Sequence, residues 1–133
     1  MIELLELSQV LNAVRTTGTE VRYHHERCDK VKTAGFYKLT ADVDLLVICT
    51  RNNLNLSDLF DTVRHEAIHV VQACNHGPVL DRDYYSKNSS QEHKTFVQDN
   101  YPAEYHHHEL EAFTAAKNLS EDDVVKLINK FCF

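Results

Sequence analysis

Arg64-His65-Glu66-Ala67-Ile68-His69-Val70-Val71 is the stretch on which the reading of this chain turns. It places an H-E-x-x-H pattern inside a segment with the periodicity of a buried helix. Leu59, Phe60, Val63, Ala67, Ile68, Val70, Val71 and Cys74 recur at i, i+3, i+4 and i+7, which describes one apolar helix face laid on a core. Ser57 is a suitable N-cap, Asp58 and Asp61 suit the positive end of the helix dipole, and Gly77-Pro78 marks a stop. The predicted helix runs from about Asp58 to Asn75, with the motif at its middle.

Residues four apart lie close to one helical turn apart, so His65 and His69 project from the same face and both imidazoles can reach one ion. A histidine pair on a solvated face would show the same letters, but here the surrounding apolar stripe fixes the helix against a core. Glu66 stands beside the pair, where a carboxylate can take the proton of a water activated by zinc as that water attacks a carbonyl. The motif points to a zinc site formed by His65 and His69 with Glu66 as general base.

Bulk properties narrow the classes. A chain of 133 residues fits one domain with a shallow rather than deep two-lobed site. Hydrophobic and charged fractions of 43% and 26% are ordinary for a globular protein. A net charge of -6 with no basic run argues against nucleic acid as the main partner. No apolar run approaches the roughly 20 residues that span a bilayer. The start Met1-Ile2-Glu3-Leu4-Leu5-Glu6 lacks the basic and apolar regions of a signal peptide, so a cytoplasmic location is expected. Cys28, Cys49, Cys74 and Cys132 show no C-x-x-C pairing, and on that view they are reduced core thiols.

The rest of the chain supplies a frame for the helix. Leu4, Leu5, Leu7, Val10, Leu11 and Val14 predict an N-terminal packing helix over residues 2–15, closed by Thr16-Thr17-Gly18. Glu20 to Cys28 alternates Val21, Tyr23 and His25 against Arg22, His24 and Glu26, as a half-buried strand does. Since neighbours on a strand face opposite ways, at most one of His24 and His25 could join a given site, and packing is the favoured role for both. Gly35 to Thr40 reads as a second strand, and the continuous apolar run Asp44 to Thr50 as a third, buried one. Their short connections predict a mainly antiparallel three-stranded meander. After the motif helix, 77–100 has little pattern beyond a short helix over Gln91 to Gln98. Pro102 opens a helix to about Lys117, and Ser120 with Asp123 caps a last helix to about Phe131. The expected class is α+β.

A catalytic zinc site takes three protein ligands and keeps one position open. The third must come from Tyr105-His106-His107-His108-Glu109-Leu110-Glu111-Ala112, which offers five donors: Glu109, Glu111 and His106, His107 and His108. Three successive histidines on a helix fan out by about 100° each, so they cannot all face one ion. The alternative with a third histidine shortly after the second fails, because His76 follows too closely and lacks the glycine turn.

His65-Glu66-Ala67-Ile68-His69, followed by Glu109-Leu110-Glu111-Ala112 with Ala116 beyond, resembles the gluzincin clan of zinc metallopeptidases, and Gly35-Phe36-Tyr37 is similar to their compact minigluzincin forms. The resemblance covers residues 20–117. It implies a zincin-like fold in which Glu109 is the third ligand, with Ala112 and Ala116 letting the two helices approach closely. Many members carry an Asp four residues after the ligand Glu to orient a ligand histidine; here that position is Phe113, so Asp61 or a backbone carbonyl is expected to take over. The clan's use of a Tyr or His to hold the oxyanion implicates Tyr105, with His106 beside it. Together these imply a Zn2+-dependent peptidase acting on peptide or protein substrates. A second class is a zinc-binding regulatory or interaction module that keeps the site without cutting. Retention of Glu66 favours the first, since a purely structural zinc takes four ligands and needs no base.

Overall fold

The structure, a computed structural model, describes residues 2–133, with side chains from Leu7 onward; the packing roles expected of Leu4 and Leu5 lie outside those described side chains. Seven helices and a three-stranded sheet give the expected α+β class. In chain order they are α1 (Ile2–Thr16), β1 (Glu20–Arg22), α2 (Glu26–Lys30), β2 (Gly35–Leu39), β3 (Asp44–Ile48), α3 (Leu56–Asn75), α4 (Arg82–Asn88), α5 (Gln91–Asn100), α6 (His106–Asn118) and α7 (Glu121–Cys132).

α3 is the central element. Val63, Ala67, Ile68, Val70 and Val71 are fully buried along its apolar face, where they meet Val10 and Val14 of α1, Leu46 and Ile48 of β3, Ala112 and Ala115 of α6, and Val124 and Ile128 of α7. Burying such side chains stabilises the fold by roughly 1.5–3 kcal/mol each. The N-cap is Asn55, whose Oδ1 accepts from Asp58 N at 2.9 Å, so the helix starts two residues earlier than the Ser57 reading. At the other end the chain turns through His76 at φ 59°, with His76 N donating to Ala73 O at 3.3 Å and Gly77 N to Gln72 O at 3.0 Å. That is a Schellman ending in which histidine rather than glycine takes the left-handed position. Arg64 ties α3 to both later helices: its Nε donates to Ala116 O at 2.7 Å and its Nη1 pairs with Glu121.

The sheet is mixed, with order β1-β3-β2. β2 and β3 form the expected antiparallel hairpin, closed at Thr40 to Val43. β1, however, lies parallel to β3, which corrects the meander. The cause is α2. Residues 26–30 form a helix instead of continuing the first strand, because His25 caps them, its Nδ1 accepting from Arg27 N at 3.0 Å. That helix carries the chain across the sheet, so β3 comes back between β1 and β2. Its unbroken apolar run is then explained: Leu46 and Ile48 face the main core, while Leu45 and Val47 join Cys28, Phe36 and Cys49 in a second cluster on the opposite face, under α2.

The cysteines correct a further expectation. They are paired, Cys28 with Cys49 and Cys74 with Cys132, and no free cysteine remains among the described residues. Sequence spacing could not show this, since each pair joins segments that only the fold brings together. No helix of the described residues is long and apolar enough to cross a membrane.

Candidate metal and catalytic site

α3 and α6 pack side by side, with Ala112, Ala115 and Ala116 of α6 all buried. Small side chains at three- and four-residue spacing on one helix allow a short interaxial distance. The approach brings Glu109 over the motif pair. Its Oε1 lies 3.3 Å from His65 Nε2, its Oε2 lies 3.1 Å from His69 Nε2, and the two Nε2 atoms are 3.2 Å apart. Glu66, 8% exposed, adjoins them, and ligand atoms of His65, Glu66 and His69 all fall within 4.8 Å of one another.

Donors bound tetrahedrally to zinc at about 2.0–2.1 Å are about 3.4 Å apart, close to the 3.1–3.3 Å separations here. Two imidazole nitrogens and one carboxylate are a donor set that fits a zinc ion with one position left open. Without an ion the same contacts are charge-assisted hydrogen bonds. Burial works against the charged form of His69, but the bond to Glu109, the charges of Glu66 and Glu109 and the bond to Gln72 outweigh it and raise the imidazole to about 9. Burial likewise opposes the Glu109 carboxylate, yet the bonds from His65 and His69 hold it down at about 2.

Sequence reasoning missed Gln72. Its Oε1 accepts from His69 Nδ1 at 2.8 Å, while its Nε2 donates to Glu111 Oε1 at 3.0 Å and to His108 O at 2.9 Å. The Nδ1–H bond fixes the tautomer that leaves Nε2 free as a ligand. Asp61, the expected orienting group, instead lies 3.7 Å from Arg64. Where relatives of the resembled clan carry Asp, Phe113 packs edge-on against the His65 ring at 4.4 Å and stacks on His93 at 4.7 Å. Steric contact thus replaces a hydrogen bond at that position. The signal for Gln72 was its place three residues after His69 on the same helix.

Of the alternatives to Glu109, the side chains of Glu111, His106 and His107 are bonded elsewhere. Glu111 is fully buried and accepts from Val79 N and Leu80 N at 2.7–3.0 Å, pinning the segment after α3. His106 Nε2 bonds Tyr101 O at 2.8 Å and His107 Nδ1 bonds Tyr85 OH at 3.1 Å. His108 lines the cleft with its Nδ1 unpartnered. The three histidines do fan apart. His24 pairs with Asp29 at 3.4 Å on the surface and His25 caps α2, so neither joins the site.

The cleft over the pair has a volume of about 530 Å³ and is walled by β2, α3 and the segment leading into α6. Gly35 permits this closeness: a Cβ there would stand 2.8 Å from Val47 O, 2.9 Å from Thr62 Cγ2 and 3.4 Å from Glu66 Cγ. Tyr105 lines the cleft, 51% exposed, from a 3-10 turn (Ala103–Tyr105) just before α6. Tyr101, also missed, lines it too; burial first, then the charges of Glu109 and Glu66, push its hydroxyl up to about 12. Those causes place the phenol within electrostatic reach of both carboxylates.

The DUF8637 family, described as a domain of unknown function, matches residues 2–133. The chain belongs to that family. Neither the curated proteins nor the solved structures contain a match to it. A family with that description assigns no chemistry to its members.

Proposed function

We propose that this chain is a small Zn2+-dependent peptidase. The observation that carries the reading is the convergence of His65 Nε2, His69 Nε2 and the Glu109 carboxylate at 3.1–3.3 Å, with Glu66 alongside. A zinc ion held there would supply Lewis acidity, lowering the pKa of a bound water to roughly 7 and polarising a carbonyl oxygen. Glu66 is the base that would accept a water's proton and hand it to the leaving amine. Tyr101 and Tyr105 are the phenols from which a hydrogen bond to the developing oxyanion would come, and Tyr101 stays protonated at neutral pH. Gln72 keeps His69 in the ligating tautomer.

Peptide rather than a small ester as substrate follows from β2. It is an edge strand whose residues line the cleft, and an extended chain can pair with such an edge. The disulfides favour an oxidising compartment over the cytoplasm, where thiols are kept reduced.

The competing reading, a zinc-binding interaction module, draws on Phe113, which gives His65 packing without a polar partner. Metal analysis and digestion of a diverse peptide library, wild type against Glu66→Gln and His65→Ala, separate the two. The peptidase reading expects stoichiometric zinc in wild type and Glu66→Gln, loss of zinc in His65→Ala, and cleavage by wild type alone. Equal zinc with no cleavage by wild type would decide for the module.

A further inference from the structure

Arg27 is the one cleft-lining residue with a permanent positive charge, and the site proposed above does not use it. The other permanent charges on the wall are the carboxylates of Glu66 and Glu109. A divalent ion held there would balance those two and leave Arg27 unmatched. Among the described residues no carboxylate lies within ion-pair distance of its guanidinium.

Its position is fixed from three sides. The guanidinium lies over the Phe36 ring, 4.8 Å from the centroid. The next residue, Cys28, is bonded to Cys49 just beyond β3, and its carbonyl accepts from Asn52 Nδ2 at 2.9 Å. The Arg27 backbone N–H is bound by the His25 cap. The backbone of Arg27 is held by these bonds, and its exposed side chain is oriented by the stack on Phe36, which presents the planar guanidinium to a planar anion.

The edge of β2 says which substrate atoms come near it. Cys49 N donates to Ala34 O and Thr40 N to Val43 O, so even-numbered residues bond to β3 and Gly35, Tyr37 and Leu39 turn their backbone groups outward. All three line the cleft. In a peptide paired to that edge, alternate side chains face opposite sides of the sheet. One set faces α3. The residue opposite Phe36 belongs to the other set, on the face where Phe36 and Arg27 lie.

We propose that Arg27 makes this cleft selective for peptides carrying an acidic side chain, Asp or Glu, at the position that pairs across from Phe36; this rests on the peptidase reading. The charge is the selecting feature, and the bidentate geometry of guanidinium with carboxylate makes Arg better than Lys at it.

The test is digestion of a proteome-derived peptide library by the zinc-loaded wild type, Arg27→Gln, Arg27→Lys and Arg27→Glu, with cleaved termini read by mass spectrometry. Expected is enrichment of Asp and Glu at a single position relative to the cut. Matched Glu and Gln peptides should differ by about fivefold in kcat/KM, the size an ion pair in partial contact with water supports. Arg27→Gln loses the preference, Arg27→Lys keeps part of it, and Arg27→Glu exchanges it for Lys and Arg, a gain that misfolding cannot mimic. Fluorescence anisotropy of the same peptides on Glu66→Gln protein reads binding without turnover and should give the same ratio. Cleavage with no acidic preference, or with one indifferent to Arg27, overturns this proposal and leaves the peptidase reading standing. No cleavage of any peptide overturns both.

Discussion

At the scale of single residues, the letters H-E-x-x-H and a glutamate some 40 positions later were legible, while the residues that orient them were not. Ligands announce themselves by type and spacing. Supporting groups such as Gln72 and Tyr101 are common residues whose role exists only once α6 lies against α3. Gln72 carries the first prediction. Gln72→Met removes the acceptor that holds His69 Nδ1 and the donor to Glu111 and His108 O. Zinc affinity, measured by chelator competition, should fall by about 10–100-fold. Leaving buried Glu111 short of a partner should cost about 1–3 kcal/mol in urea unfolding. The second concerns pH in the metal-free protein. His69 at about 9 lies above its ordinary 6.5, so its bond to Glu109 is fully stabilising below about 6.5 and is lost as pH rises through 9. Glu109 at about 2 lies below its ordinary 4.5, so the same bond stabilises above about 4.5 and is lost as pH falls through 2. Melting temperatures of EDTA-treated protein should peak between about pH 4.5 and 6.5 and decline on both sides, and Glu109→Gln should flatten the alkaline decline. Zinc uptake must expel the His69 proton, so affinity should rise with pH towards 9.

At the scale of elements, long periodic segments were readable and short ones were not. The apolar stripe of α3 and the capping box of α7, Ser120 with Asp123, gave those helices almost to the residue. α2 and α4, of 5 and 7 residues, are too short to show a period, and α2 is set by a histidine cap and a disulfide that spacing does not reveal. Missing α2 is what turned a parallel β1 into a meander strand. Which strand of the sheet is its edge over α3 was also unreadable, although the residue that lets β2 approach, Gly35, was noted. Gly35→Ala tests that contact. Its Cβ would meet a backbone oxygen at 2.8 Å and Thr62 Cγ2 at 2.9 Å, and neither neighbour is the yielding end of a long side chain. We expect a loss of about 1–3 kcal/mol in chemical denaturation and, on the peptidase reading, peptide cleavage reduced more than zinc content, since β2 moves relative to Glu66 while the three proposed ligands stay on α3 and α6.

At the scale of the whole molecule, the two disulfides divide the work of holding the chain together, and their separate removal is the last prediction. Cys74–Cys132 joins the end of α3 to the end of α7 across 58 residues, and Cys28–Cys49 joins α2 to the end of β3 across 21. If each acts by restricting the unfolded chain, the longer loop is worth about 4 kcal/mol and the shorter about 3 kcal/mol. The consequences for the site differ more than the energies do. α3 is already fixed by the common core and by Arg64, which binds Ala116 O and Glu121. Cys74→Ser with Cys132→Ser should therefore lower the urea midpoint and leave zinc affinity and cleavage of the folded protein close to wild type. α2 has no comparable anchorage beyond Asn52 and the small cluster of Phe36, Leu45 and Val47. Cys28→Ser with Cys49→Ser should free Arg27 and loosen β2, so that peptide binding weakens while zinc is retained. Should the two double variants lose peptide binding equally, α2 would not be a separately held part of the cleft, and the division of roles between the bonds would be wrong.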